Sequence, residues 1–127
     1  MVMNLPPGLI KISSSQFEDV QWKEYLSEVD EIVIDGKGIV SKENIIDAIR
    51  ANFPLDPPVE SYNWDAISDS LWEGMDSKYR DTVVVIKGGL DFLKRNDFES
   101  YKVVMDIFSD ISGSSSKKVY WLFVDSD

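Results

Sequence analysis

The chain predicts an α/β fold: a three-stranded parallel sheet packed by helices, with an N-terminal βα extension. Three observations lead there. Short β-branched or aromatic runs, EIVID at 31–35, TVVVI at 82–86 and VYWLFV at 119–124, alternate with segments whose apolar residues recur at helical spacing. That alternation implies right-handed parallel crossovers. The 127 residues, 43% of them hydrophobic, suffice for a sizeable core with no cysteine to cross-link it.

In chain order, residues 9–12 read as a strand, followed by a helix opened by the capping box Ser15-x-x-Glu18, with Trp22, Tyr25, Leu26 and Val29 at i, i+3, i+4 and i+7. About 30 residues cannot hold a core alone, so residues 1–30 are expected to pack on a domain formed by 31–127. The run at 31–35 ends at Asp35-Gly36. Ser41 then stands as an N-cap before a helix with Ile45, Ile46, Ile49 and Phe53 on one face, closed by Pro54. Three prolines make residues 54–62 an extended, stiff loop. The segment TVVVI is too short and branched for a helix and reads as a buried central strand stopped by Lys87-Gly88-Gly89. A helical turn at 90–93 and a helix at 98–111 follow. The latter places Phe98, Tyr101, Val104, Met105, Phe108 and Ile111 on one side. A GSSSKK connector leads to the last strand, which reads as buried on both faces.

Thirteen basic against 23 acidic residues give a net charge of -10, which repels nucleic acid and anionic lipid and attracts a basic protein. With neither histidine nor cysteine, Ser-His-Asp, Cys-His and thiolate-metal chemistry are excluded. No run approaches the ~18 apolar residues of a membrane span, and the N-terminus lacks a secretory signal pattern, so the expected location is the cytoplasm. Gly36-Lys37-Gly38 matches neither phosphate-loop pattern and reads as a turn.

The most informative segment is 59–76, VESYNWDAISDSLWEGMD, a helix with Asn63 as its N-cap. At about 100° per residue, Trp64, Ile67, Leu71 and Met75 line a core-facing sector. Asp65, Asp69, Trp72 and Asp76 form a second stripe beside it. Such a stripe can present carboxylates in fixed geometry to a cationic partner. The same spacing also describes a solvated acidic face.

Residues 63–71, Asn-Trp-Asp-Ala-Ile-Ser-Asp-Ser-Leu, together with IVIDGKGI, the helix after Ser41 and VVMDIF before a hydrophobic C-terminal strand, resemble the barstar-like family of intracellular ribonuclease inhibitors. The similarity covers about residues 31–124. It implies the barstar-like fold and a cytoplasmic immunity protein with no catalytic residue, metal or cofactor. The implied partner is a basic ribonuclease toxin, held 1:1 by a monomer. Asp65 and Asp69 match the two helix aspartates that enter the ribonuclease's active site in the family, where carboxylates satisfy the Arg and Lys side chains that otherwise hold RNA phosphates. Tyr62, Asn63 and Glu99 join the implied interface, and the stripe itself adds Asp76 and Trp72, the latter equally readable as packing at the edge of the core or as an interface anchor. The chain departs from the family at Val59-Glu60-Ser61-Tyr62, at Ser68, where the family carries tryptophan, and in the last helix, where either Glu99 or Lys102 takes the family's glutamate position. A ribonuclease other than barnase is the expected target. Two alternatives stay open: an adaptor binding a basic non-nuclease protein, and an enzyme with a metal on Asp65, Asp69 and Asp76.

Overall fold

The computed structural model describes residues 8–17, 29–78, 80–114 and 118–125. Four strands, β1 (Gly8–Ser13), β2 (Asp30–Asp35), β3 (Thr82–Lys87) and β4 (Val119–Asp125), form one parallel sheet in the order β1-β4-β3-β2. The expected three-stranded sheet therefore has a fourth member: β1 pairs along its whole length with β4, from Gly8 opposite Tyr120 to Ser13 opposite Asp125. The first and second strands lie on opposite edges of the sheet.

Helix α1 (Ser14–Phe17) follows β1 directly. Ser13 and Gln16 form a capping box at its start: the Ser13 amide donates to Gln16 Oε1 at 2.9 Å, and the Gln16 amide donates to Ser13 Oγ at 3.2 Å. The expected Ser15-x-x-Glu18 box lies partly outside the described residues. Glu18, Trp22, Tyr25 and Leu26 lie outside the described residues. After β2, a single 3-10 turn (Gly36–Gly38) leads to α2 (Lys42–Asn52), where Ser41 Oγ accepts from the Asn44 amide at 3.2 Å as a cap should. A loop then leads to α3 (Trp64–Asp76), capped by Asn63, whose Oδ1 accepts from the Ala66 amide at 3.1 Å.

Strand β3 ends at Gly88 and Gly89, whose φ values of +78° and +63° suit residues without a Cβ. The helical turn expected at 90–93 starts one residue later and runs longer, as α4 (Asp91–Asn96). Helix α5 (Phe98–Ser114) extends past Ile111 and takes up Gly113 and Ser114, which were expected in the connector. Asp97 joins these helices to α2. Its carboxylate accepts from the Ser100 hydroxyl at 2.8 Å, from the Ser100 amide at 3.2 Å and from the Lys42 amide at 3.2 Å.

Alternation along the strands splits the core in two. Ile34, Val84, Ile86, Trp121 and Phe123 face α2, α3, α4 and α5, meeting Ile45, Ile46, Ile49, Ile67, Leu71, Met75, Leu93, Val104, Phe108 and Ile111. Ile12, Val83, Val85, Tyr120, Leu122 and Val124 line the opposite face, with Ile10, Phe17 and Val29 against them. Strand β4 is thus buried on both sides, as its unbroken apolar run requires. Trp121 is fully buried, stacked on Phe108 at 3.8 Å between ring centroids, and its indole donates to Ser112 Oγ at 2.7 Å. Phe98 corrects the expected apolar face of α5: at the first position of the helix it is 51% exposed, stacking on Tyr101 instead of entering the core. Among the described residues, no helix is long and apolar enough to cross a membrane.

Candidate functional site

Helix α3 is anchored on one side and anionic on the next. Ile67, Leu71 and Met75 are fully buried, and Trp64, placed on the same face by its spacing, is half-buried at the edge of the core. Burying three such side chains contributes about 1.5–3 kcal/mol each, which fixes the rotation of the helix about its axis. That rotation leaves Asp65 and Asp69 exposed one turn apart, while Trp72 and Asp76 sit half-buried further along the stripe. Trp72 packs part of its ring against the core.

From Trp64 to Asp76 the helix carries four acidic residues, Asp65, Asp69, Glu73 and Asp76, and no basic one. Several acidic residues on other elements have a cationic partner. Lys78 pairs with Asp30 at 3.0 Å, Arg50 with Asp47 at 3.0 Å and Lys11 with Asp125 at 3.9 Å. Among the described residues, neither Asp65 nor Asp69 forms an ion pair. Asp65 lies in the first turn, where the helix dipole favours a carboxylate whatever its function. Asp69, mid-helix, has no such local reason to be acidic. Glu99 is on α5, which packs beside α3, and its 83% exposed side chain pairs with Lys102 at 3.7 Å. The two residues that compete for one position in the family pattern are therefore partners of each other. Among the described residues, no group of three acidic side chains is placed to hold a metal ion.

Two connections to the preceding loop were not foreseen from the sequence. At its start, the loop lies on α3: the Asp56 amide donates to the Ser70 carbonyl at 3.1 Å, the buried Ser70 hydroxyl donates to the Pro57 carbonyl, and Gly74 lies against Pro54. At its end, the loop is held by α2. Arg50 Nη1 donates to the carbonyls of Val59 at 3.0 Å and Ser61 at 3.3 Å, and its Nη2 donates to Asp47. The guanidinium also lies over the Tyr62 ring, 4.7 Å from its centroid. Tyr62 donates its hydroxyl proton to Asp47 Oδ1 at 2.9 Å. Hydrogen bonds from Arg50 and then Tyr62 hold the Asp47 carboxyl below its ordinary pKa, and the bond to Asp47 raises that of Tyr62. The opposite charges of Asp47 and Arg50 at i, i+3 were the available signal.

Tyr62, Asn63, Asp65 and Asp69 are all exposed, at the end of the loop and along the first turns of α3, with Asn63 serving as the cap that starts the helix. A family model described as Barstar (barnase inhibitor) matches residues 29–125. No curated protein matches the chain.

Proposed function

The chain belongs to the barstar family, and from that premise we propose that it is an intracellular immunity protein that blocks the active site of a basic ribonuclease toxin, forming a 1:1 complex as a monomer. The family is one of inhibitors, acting by binding a protein rather than by catalysis. The observation that carries the finer reading is the pair Asp65 and Asp69: two exposed carboxylates, unpaired among the described residues, on a helix whose neighbouring face is locked in the core. A ribonuclease holds its phosphodiester with Arg and Lys side chains, and rigidly placed carboxylates satisfy those donors by charge-assisted hydrogen bonds. Tyr62 and Trp72 supply aromatic surface on either side of the pair, and an interface of ordinary size buries about 800 Å² on each partner. Asn63, Asp76 and Glu99 complete the proposed contact surface.

Titration of the purified chain into barnase, and into any small basic ribonuclease encoded beside it, tests the reading by RNA cleavage. Stoichiometric loss of cleavage of at least one of them is expected. Full cleavage of both under excess chain overturns the reading, and binding without inhibition replaces it with an adaptor role.

A further inference from the structure

Residues 54–63 form no helix or strand, yet both ends of this loop are fastened, one to α3 through Pro54, Asp56 and Pro57 and the other to α2 through Arg50 and Asp47. The second fastening converges on a single guanidinium. Two of its donors hold backbone carbonyls, a third holds a carboxylate, and its flat face covers an aromatic ring. Only arginine combines these contacts, because lysine has no planar fork. Asp47 closes the ring of contacts by accepting from both Arg50 and Tyr62 through the same oxygen.

We propose that Asp47 and Arg50 are positioning residues for the inhibitory surface: they hold the backbone at Val59 and Ser61 and the ring of Tyr62 against α2, so that Tyr62 and the first turn of α3 meet the ribonuclease as one preset face. This rests on the inhibitor reading above. Tyr62 is 40% exposed although one of its faces lies under Arg50 and its hydroxyl proton is engaged. What it offers a partner is the remaining ring surface, in a fixed orientation. A loop ordered before docking does not lose its conformational freedom on docking, so a partner binds it more tightly than it would bind the same residues on a free loop.

Charge and positioning make opposite predictions for Arg50. Replacing it by methionine makes the inhibitor more negative by one unit, which by charge alone strengthens association with a basic ribonuclease. Loss of positioning weakens it. The experiment compares the parent with Arg50→Met, Arg50→Lys and Tyr62→Phe, the last removing one hydroxyl at a surface position. Amide hydrogen exchange over residues 58–66 is measured in the free proteins, and binding kinetics are measured with barnase. The expected results are exchange about tenfold faster in this segment alone and binding to barnase about tenfold weaker for Arg50→Met. Tyr62→Phe should show a smaller change in the same direction, and Arg50→Lys should not restore the parent's exchange despite keeping the charge. Unchanged exchange in Arg50→Met, or tighter binding to barnase, overturns the proposal. If the parent does not bind barnase, the exchange result alone decides it. An Asp69→Ala variant that binds barnase as well as the parent would instead overturn the inhibitor reading and leave the loop result standing.

Discussion

Gly74 in α3 packs its bare Cα against the carbonyl of Pro54, and a Cβ built on Gly74 would overlap that oxygen. Glycine within a helix usually costs about 1 kcal/mol relative to alanine. Here it permits the loop to lie directly on the helix that carries the carboxylates.

Gly74→Ala is accordingly expected to destabilise the fold, although alanine is the better helix former. The obstacle is backbone, which cannot rotate away, so the loss should reach or exceed the about 1–3 kcal/mol of ordinary overpacking. Urea unfolding of the two proteins measures it. A gain in stability would show that the loop does not lie on α3.

Asn63 is assigned two roles, helix cap and interface residue, and they separate experimentally. If the cap dominates, Asn63→Ala loses about 1 kcal/mol of stability, and Asn63→Asp, which keeps an acceptor for the Ala66 amide, recovers most of it. Thermal unfolding of the three proteins checks this. Equal stability of Asn63→Ala and the parent would leave the hydrogen bond to Ala66 without consequence.

Asp97 holds the starts of α2 and α5 with one carboxylate, and its hydrogen bonds, from the Ser100 side chain first, lower its pKa below the ordinary 3.8. A depressed folded pKa means that the contribution is complete above pH 3.8 and drains as pH falls through the folded value. Asp97→Ala should therefore cost about 1 kcal/mol at neutral pH, with the gap from the parent closing below pH 3.8. Asp47 loses its contribution in the same direction. Tyr62, raised above 10.0, does the reverse: its contribution is present below pH 10 and lost as pH rises through the folded value. Denaturant midpoints measured from pH 2 to 7 test the carboxylate claim, and a gap that stays constant contradicts it.

Local signals made much of this legible in advance. The caps Ser41 and Asn63 and the buried run of β4 are each written within a few consecutive residues, and the period of α3 separates its buried face from its acidic one. Contacts between segments distant in sequence were not legible in this way. Nothing near Ser70 or Gly74 announces that a proline loop will lie on them, and Asp47 with Arg50 reads as an ordinary exposed helix face until Tyr62 is brought beside it. The capping box at Ser13 and Gln16 is not singled out in the sequence because Ser13, Ser14 and Ser15 offer three successive caps, and where β1 ends against Asp125 decides that Ser13 serves as one. Phe98 follows the helical period of its neighbours, but only its position at the start of α5 explains why it stays outside the core.

The most direct test of the account is the effect of Asp69→Ala on binding to whichever ribonuclease the chain inhibits, with Leu71→Ala as the contrasting change two residues away. The account predicts that Asp69→Ala weakens binding by about 1.5–3 kcal/mol, the range for hydrogen bonds to charged groups. Its stability should stay within about 0.5 kcal/mol of the parent, while Leu71→Ala loses about 2–5 kcal/mol of stability. Asp65→Ala should weaken binding less, and association of the parent should slow as salt rises. Unaltered binding by Asp69→Ala, or its unfolding, would contradict the claim that α3 is fixed by its buried face in order to present its carboxylates.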